Sequence, residues 1–588
     1  MKKLLKYLRH YKIESVLAPL FKLLEASFEL FIPIIVASMI DKISSVTGGQ
    51  VASADGARYV VYCCLILVAL GVVGLVSAVC AQFFAAKAAI GFSKELRSDL
   101  FKKSQSLSYS ELDNLGTSSI ITKMTSDVNQ VQTGVNLVLR LFMRSPFIVF
   151  GAMVMAFVIS ITAGWIFAVT IAVLFAVVFT VMLITIPLYK KSQEKLDKVT
   201  QATRETLVGS RVVRAFCKEN EEIEEFDRRN KRLEKSQKFV GRISALMNPL
   251  TYAVINVGII VLIYFGAIQV NSGVTTPSGE ILTQGKVIAL YNYMSQILIE
   301  LIKLANLIIT VTKCFASAGR INEILDMTPS LIHGKPMEKL EGAPLIEFKN
   351  VSMRYNEGGS DALSDITFTV NAGETVGIIG GTGSGKSTLV NLIPHFYDVT
   401  GGEILINGVN VNAVGDERLR ENCGVVPQRA VLFKGTIREN IKWGNEDATD
   451  EQINSALSAA CASDVINSKP KGLDEEVEQG GKNFSGGQRQ RLTIARARVK
   501  RPEILILDDS SSALDYATDA ALRKNLRALD YSPTVFMVSQ RTGSVSHADK
   551  ILVLDGGKLV GCGTHEQLLE SCDVYREIHY SQYGKEEA

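Results

Sequence analysis

Six long apolar stretches limit what this chain can fold into more than any other feature. They cover approximately residues 16–40, 59–86, 141–161, 165–188, 247–270 and 287–312. As helices, each is long enough to cross a hydrocarbon core of about 30 Å. In that solvent every backbone N–H and C=O must be satisfied within the segment, so such runs fold as helices. The links between them alternate in character. Residues 44–57, 162–164 and 271–286 are short and nearly free of Lys and Arg, whereas 87–140 and 189–242 are long and basic. The N-terminal segment, 1–12, is also basic and falls on the side of the two long links. An excess of positive charge marks the cytoplasmic side, which places the N-terminus, both long links and the C-terminal half there. Because the basic N-terminus lacks a short apolar core and cleavage site, a cleaved signal peptide is not expected.

Composition agrees with this division. Of the 588 residues 47% are hydrophobic, high for a soluble chain, and the excess sits in the first half. The second half has the charge and glycine of a globular α/β protein. A net charge of +3 is too small to argue for nucleic acid as a partner. The nine cysteines form no C-x-x-C pair, so neither zinc nor a disulfide framework is indicated, and Cys63 and Cys64 read as buried thiols.

Within the long links, 91–107 and 192–238 have few helix breakers and many opposite charges at i, i+4 spacing. An extension of about 20 residues carries a membrane helix about 30 Å beyond the bilayer. The first apolar stretch holds Lys22, Glu25 and Glu29 on one helix face, and the sixth holds Glu300 and Lys303. Charges at that depth cost about 2.5–3.5 kcal/mol each on insertion scales, so they must face protein or a water-filled cavity. Lys22 and Glu25 are spaced to neutralise each other, which leaves Glu29 as a candidate contact for a cationic solute. Ion pairs between spans are the alternative. From 317 to 344 the chain reads as a helical exit followed by a linker, punctuated by Pro329, Pro336 and Pro344.

Strands are expected at 345–351, 366–370 and 375–379. The last leads into Gly380-Gly381-Thr382-Gly383-Ser384-Gly385-Lys386-Ser387-Thr388, with a helix start following. Strand, glycine-rich loop and helix N-terminus in this order form a phosphate-binding loop. Gly380, Gly383, Ser384 and Gly385 let backbone N–H groups turn inward around phosphates. Lys386 reaches the β- and γ-phosphates, and the hydroxyls of Ser387 and Thr388 lie at the helix start, Ser387 completing a Mg²⁺ shell. About 120 residues on, Ile504–Asp508 reads as a buried strand ending in a carboxylate, the arrangement that supports Mg²⁺ beside such a loop. Ser485-Gly486-Gly487-Gln488 precedes a basic helical stretch and offers a second helix N-terminus for an anion. Tyr355 could stack on an adenine ring, and Gln428 offers a neutral oxygen to the metal or to an attacking water.

Phe484-Ser485-Gly486-Gly487-Gln488, lying between the phosphate loop and Leu505–Asp508, resembles the signature of ATP-binding cassette (ABC) proteins. Six spans before one such domain resemble the half-transporters of the type IV exporter class. The expected fold is therefore a membrane α-helical bundle of six transmembrane helices with long cytoplasmic extensions, fused to an α/β P-loop NTPase domain. Its divisions would be a transmembrane domain at 1–319, a linker at 320–343 and a nucleotide-binding domain at 344–588. The resemblance implies two nucleotide domains facing head to tail, with each ATP between one phosphate loop and the other subunit's signature. It matches Tyr355 to the adenine-stacking loop, Gln428 to the Q-loop and Ser512-Ala513-Leu514-Asp515 to the D-loop. It also implies coupling helices near 109–116 and 204–215, spans exchanged between subunits, and alternating access that expels a solute.

Two positions depart from the family pattern. After the strand-end Asp508, where the family carries the Glu that polarises the attacking water, this chain has Asp509. Its carboxylate falls about 1–1.5 Å short of that water. The switch position, normally His, is Gln540, which can hydrogen-bond a γ-phosphate but carries neither the imidazole's charge nor its proton. A positioned base is worth about 10²–10⁴ in rate. The site is thus expected to bind ATP with Mg²⁺ and hydrolyse it slowly, in a heterodimer whose partner half-transporter supplies the competent site. The implied activity is ATP hydrolysis coupled to export of small amphipathic molecules across the lipid bilayer of a bacterial plasma membrane. Other readings are a dedicated lipid or peptide exporter, a homodimeric slow ATPase, and an ATP-gated channel or sensor. An N-terminal peptidase domain is not recognisable, and the half-transporter layout disfavours import.

Overall fold

The computed structural model describes residues 1, 3–48, 52–273, 282–331, 340, 342–355, 358–414 and 416–583. Two compact units emerge: Met1–Gln105 with Thr117–Met327, and Ser106–Gly116 with Thr328–Ala588.

The first unit is helical. Its longest helices are Lys12–Thr47, Ser53–Ser106, Ile161–Val208, Glu219–Ala245 and Gln284–Asp326, with Arg144–Ile159 and Met247–Asn271 between them. Ser53–Ser106, at 54 residues, is about 80 Å long, well beyond a bilayer core. Expected span and expected extension are therefore one unbroken helix. Its apolar part presents Leu65, Val68, Val72, Leu75 and Val79, each more than half exposed, outward. Such a surface is stable against hydrocarbon or apolar partner helices and not in water, where its exposure costs about 25 cal/mol per Å².

Among the described residues five helical stretches are long and apolar enough to cross a membrane: Leu4–Thr47, Ser53–Ser106, Thr117–Ile159, Ile161–Val208 and Glu219–Asn271. Six were expected. The sixth stretch, 287–312, lies in Gln284–Asp326, which is not one of the five. This helix holds Asn292, Gln296, Glu300 and Lys303 and forms the inside of its unit, with Tyr293, Met294 and Ile297 wholly buried.

The charges expected inside the spans are all paired, so the alternative of ion pairs between spans holds and Glu29 is not left open as a contact for a cationic solute. Lys22 Nζ lies 2.5 Å from Glu25 Oε2. Arg144, from the third stretch, donates through Nη2 to both oxygens of Glu29 at 2.7 and 2.8 Å and through Nη1 to Glu300 at 3.2 Å. Glu300 also accepts from Ser145 Oγ at 2.7 Å and from Lys303 Nζ at 2.8 Å. The Arg144 side chain is 8% exposed and that of Glu300 5%. A guanidinium fork meets two carboxylates from two other helices, which is the geometry for which Arg is suited. Three cations and three anions balance.

The second unit carries two larger sheets and one antiparallel pair of short strands, Gly435–Thr436 with Glu476–Val477. An antiparallel sheet runs Leu363–Val370, Ile346–Met353, Gly401–Ile406, Val409–Asn410, with Phe348 stacked on Phe368 at 4.5 Å. A six-stranded sheet runs Lys558–Gly563, Lys550–Asp555, Thr375–Gly380, Thr534–Val538, Ile504–Asp508, Cys423–Val426. All its pairings but the first are parallel. Every residue of Ile504–Asp508 and Thr534–Val538 is buried, as expected of strands covered on both faces. The segment Tyr109–Leu115, expected as a coupling helix, is a short helix of this unit, capped by Ser108 with Glu111. Tyr109 stacks on Phe396 at 4.4 Å, and Tyr397 Oη donates to Asp113 at 2.7 Å. The second such segment contains the helix Ser210–Ala215 in the first unit, with Val212 exposed on it and the exposed Val208 and Phe216 to either side. The expected turn at 334–336 lies outside the described residues.

Candidate functional site

Parallel pairing explains why residues far apart in sequence meet. Strands Cys423–Val426, Ile504–Asp508, Thr534–Val538 and Thr375–Gly380 are consecutive in the sheet, with Val426 opposite Leu507, Asp508 opposite Val538, and Val538 opposite Ile378. Their C-terminal ends share one edge, the place where open α/β sheets bind ligands. From that edge emerge Gln428, Asp509, Gln540 and the phosphate loop.

The loop turns through glycine. Gly385, at φ +95°, starts the helix Lys386–Leu392, and a Cβ there would sit 2.7 Å from the Ala362 carbonyl oxygen. Lys386 is almost fully buried; its Nζ donates to the carbonyls of Gly380 at 2.9 Å and Gly381 at 2.6 Å, with Ser384 Oγ at 3.4 Å. Burial pulls its pKa down, against the opposing charges of Asp509 and Asp508. Ser387 Oγ donates to Asp508 Oδ1 at 2.9 Å, so the two oxygens proposed for a metal are already adjacent. Asp508 is 6% exposed, and burial raises its pKa despite the Ser387 hydrogen bond. Asp509 occupies a left-handed backbone conformation, φ +47°, and its Oδ2 accepts from Gln428 Nε2 at 3.5 Å. Burial raises its pKa as well. Both carboxylates thus sit where added positive charge would be stabilising.

Gln540 is exposed at the end of Thr534–Val538. Tyr355, 43% exposed, bonds through its hydroxyl to Thr388 Oγ1 at 2.9 Å and meets the edge of Tyr397 at 5.3 Å. Nothing in the sequence around Tyr355 points to the Tyr397 contact.

Ser485-Gly486-Gly487-Gln488 opens the helix Gly486–Val499, as expected, and the residue types have a local cause. Ser485 Oγ accepts from Gln488 N at 3.3 Å, and Gln488 Oε1 accepts from Ser485 N at 3.0 Å. This is a capping box, which Ser followed three residues later by Gln encodes. Gly487 is pressed against Ala513, whose carbonyl oxygen would lie 3.0 Å from an added Cβ. Among the described residues no hydrogen bond joins 485–488 to the chain's own phosphate loop. Phe484 is buried, with Lys469 Nζ 4.8 Å from its ring centre.

Fused membrane helices and a phosphate-loop sheet with these motifs define an ATP-driven membrane transporter. Comparison supplies the family. The models described as "ABC transporter transmembrane region" and "ABC transporter" match residues 15–300 and 363–512. The ABC transporter ATP-binding protein YfiB of Bacillus subtilis is 34% identical over 587 residues, covering 100% of this chain and 99% of its own. An ATP-dependent lipid A-core flippase of Syntrophus aciditrophicus is 32% identical over 84% of this chain and 80% of its own. The putative multidrug export ATP-binding/permease protein YgaD of Bacillus subtilis is 29% identical, with 98% of each covered. A bacterial Atm1-family ABC exporter solved with ATP bound shares the fold, at TM-score 0.79 and 23% identity over 99% of both chains. This chain belongs to the ABC transporter family. It is a multi-pass membrane protein with an ATP-binding domain.

Proposed function

We propose that this chain is one subunit of an ATP-driven exporter that moves amphipathic small molecules out of the cytoplasm, holding ATP in a slowly hydrolysing site of its own. The names of two relatives, one a lipid A-core flippase and one a putative multidrug exporter, support amphipathic cargo. Residues 1–319 would be the transport domain and 344–588 the engine, joined by 320–343. Gly380, Gly383, Ser384, Gly385, Lys386 and Thr388 would hold the phosphates, and Tyr355 the adenine. Ser387, Asp508 and Gln428 would hold Mg²⁺, an oxygen-rich set that fits a hard cation. When bound, that ion would supply charge neutralisation on the phosphates.

The observation that carries the slow-site reading is the pair Asp509 and Gln540, at the ends of adjacent strands where the family pattern has Glu and His. Asp509 reaches Gln428 at 3.5 Å, a long contact, and a carboxylate this short positions a water poorly. Ser485–Gln488, with an intact capping box and no bond to its own phosphate loop, is free to complete a partner half-transporter's site. The test is ATP hydrolysis by the purified chain alone and with its partner, repeated with Asp509→Ala here and Glu→Gln at the partner's base. Activity that needs the partner and collapses only with the partner's Glu supports the proposal. Brisk turnover by this chain alone, abolished by Asp509→Ala, would make Asp509 the base and the assembly a homodimer.

A further inference from the structure

We infer that Gln582, on the C-terminal helix, is a positioning residue for the switch segment, and that it sets how well Gln540 distinguishes ATP from ADP. The inference rests on the proposed contact of Gln540 with the γ-phosphate.

The side-chain amide of Gln582 makes three hydrogen bonds to this segment. Its Nε2 donates to the Gln540 carbonyl oxygen at 2.7 Å. Its Oε1 accepts from Thr542 N at 2.9 Å and from Thr542 Oγ1 at 3.1 Å. Since that hydroxyl donates to Gln582, it accepts from His579 Nδ1, 3.3 Å away, and this makes Nδ1 the protonated ring nitrogen. The next residue is held too. Gly543 offers its carbonyl to Arg523 Nη1 at 2.8 Å, and a Cβ on Gly543 would lie 2.2 Å from the Tyr583 hydroxyl. The last turn of the helix Asp573–Tyr583 is therefore seated on 540–543, the residues that carry the switch side chain.

The helix making these contacts is itself fixed. Tyr575 is wholly buried in a cluster with Val545, Val553, Leu568 and Ile379, and Ile379 is the residue before the phosphate loop's first glycine. Tyr575 Oη lies 2.7 Å from His565 Nδ1. One helix thus links the root of the phosphate loop to the backbone of Gln540. Gln540 is exposed and belongs to neither flanking strand nor helix, so Gln582 fixes its backbone from the C-terminal side. Losing that clamp frees the segment to fluctuate, and a hydrogen bond from Gln540 to a phosphate is then formed only part of the time.

The test is photolabelling of the full-length chain, assembled with its partner, by azido-ATP, competed with Mg·ATP or Mg·ADP in the cold. Gln582→Ala should cut the preference for ATP over ADP about tenfold, the worth of one hydrogen bond to a charged acceptor. Gln582→Glu should behave alike. It keeps the two bonds accepted from Thr542, which would suffice to anchor the helix, but cannot donate to the Gln540 carbonyl. Gln540→Ala should show the same loss, and the double variant no more, because one residue acts through the other. Equal weakening of ATP and ADP, normal discrimination in Gln582→Glu, or additive losses in the double variant would each overturn the positioning role. If Gln540→Ala itself leaves discrimination intact, the γ-phosphate contact falls and the inference with it. If Gln540→Ala abolishes discrimination while Gln582→Ala does not, only the inference falls.

Discussion

Arg144 is the residue whose removal from the membrane unit has the most calculable result. It faces three carboxylates: Glu29 at 2.7 Å, Glu300 at 3.2 Å and Glu25 at 3.9 Å. Breaking a buried ion pair from one side costs about 3–5 kcal/mol, chiefly for the charge left behind. Here the lower end applies. With Arg144→Ala, Glu25 keeps Lys22 and Glu300 keeps Lys303 and Ser145, so only Glu29 loses its cation, and its side chain is 35% exposed. With an unfolding entropy of about 2 cal/mol/K per residue over the roughly 300 residues of this unit, 3 kcal/mol lowers the midpoint by about 4–5 °C. The assay is a thermal melt in detergent with a thiol-reactive dye, which reads exposure of the buried Cys63, Cys314, Cys423 and Cys572. Rates of heating must match between variants, because such unfolding is irreversible. Replacing the pair together, Arg144→Met with Glu29→Gln, removes the stranded charge and should recover most of the loss. A single variant within 1 °C of the parent, or a double variant worse than the single, would refute the account. Glu29→Gln alone should disturb stability more than transport of cations, since the guanidinium already occupies that carboxylate.

Four further outcomes follow from particular contacts. Asp509→Glu with Gln540→His should raise turnover at this chain's own site at least tenfold toward the 10²–10⁴ of a positioned base, measured with the partner's Glu replaced; no gain would mean the slow site has another cause. Tyr397→Phe deletes the hydroxyl held by Asp113 while keeping the ring against Tyr355, so ATP binding should persist while cargo-stimulated hydrolysis falls about three- to tenfold; unchanged stimulation would remove this link. Ser485→Asp keeps an equally good helix cap but adds a negative charge, so the melt should hold while hydrolysis by the assembled pair is lost, whereas retained hydrolysis would show that no phosphate comes near Ser485. Burial pushes the Cys423 thiol up to about 12, so a maleimide at neutral pH should label the exposed Cys217 quickly and Cys423 only on unfolding; comparable labelling of both in the native protein would contradict the packing around Cys423.

What the sequence disclosed and what it withheld divide along one physical line. Features set by neighbours in the chain were legible. Ile504–Asp508 is a strand with the expected ends because a buried parallel strand is a short apolar run. The pairs Lys22–Glu25 and Glu300–Lys303 sit one helical turn apart and form as the spacing says. The boundary between a span and its extension was not visible as a break, since apolarity ends with the bilayer while the hydrogen bonds of Ser53–Ser106 continue into water. Long-range partners were not legible at all. Arg144 lies 115 residues from Glu29, at the edge of its apolar stretch, and nothing in its own neighbourhood tells a buried guanidinium from an interfacial one. Gln582, 42 residues from Gln540, is a polar residue on a terminal helix, which in sequence reads as a solvated face. Ser485 and Gln488 show the converse hazard. Their spacing suits an anion site, yet it is also what a helix cap requires, and the cap is what these atoms form. An alanine at Ser485 would therefore remove about 1 kcal/mol of capping along with any phosphate contact. Only a substitution that preserves the cap, as aspartate does, separates the two.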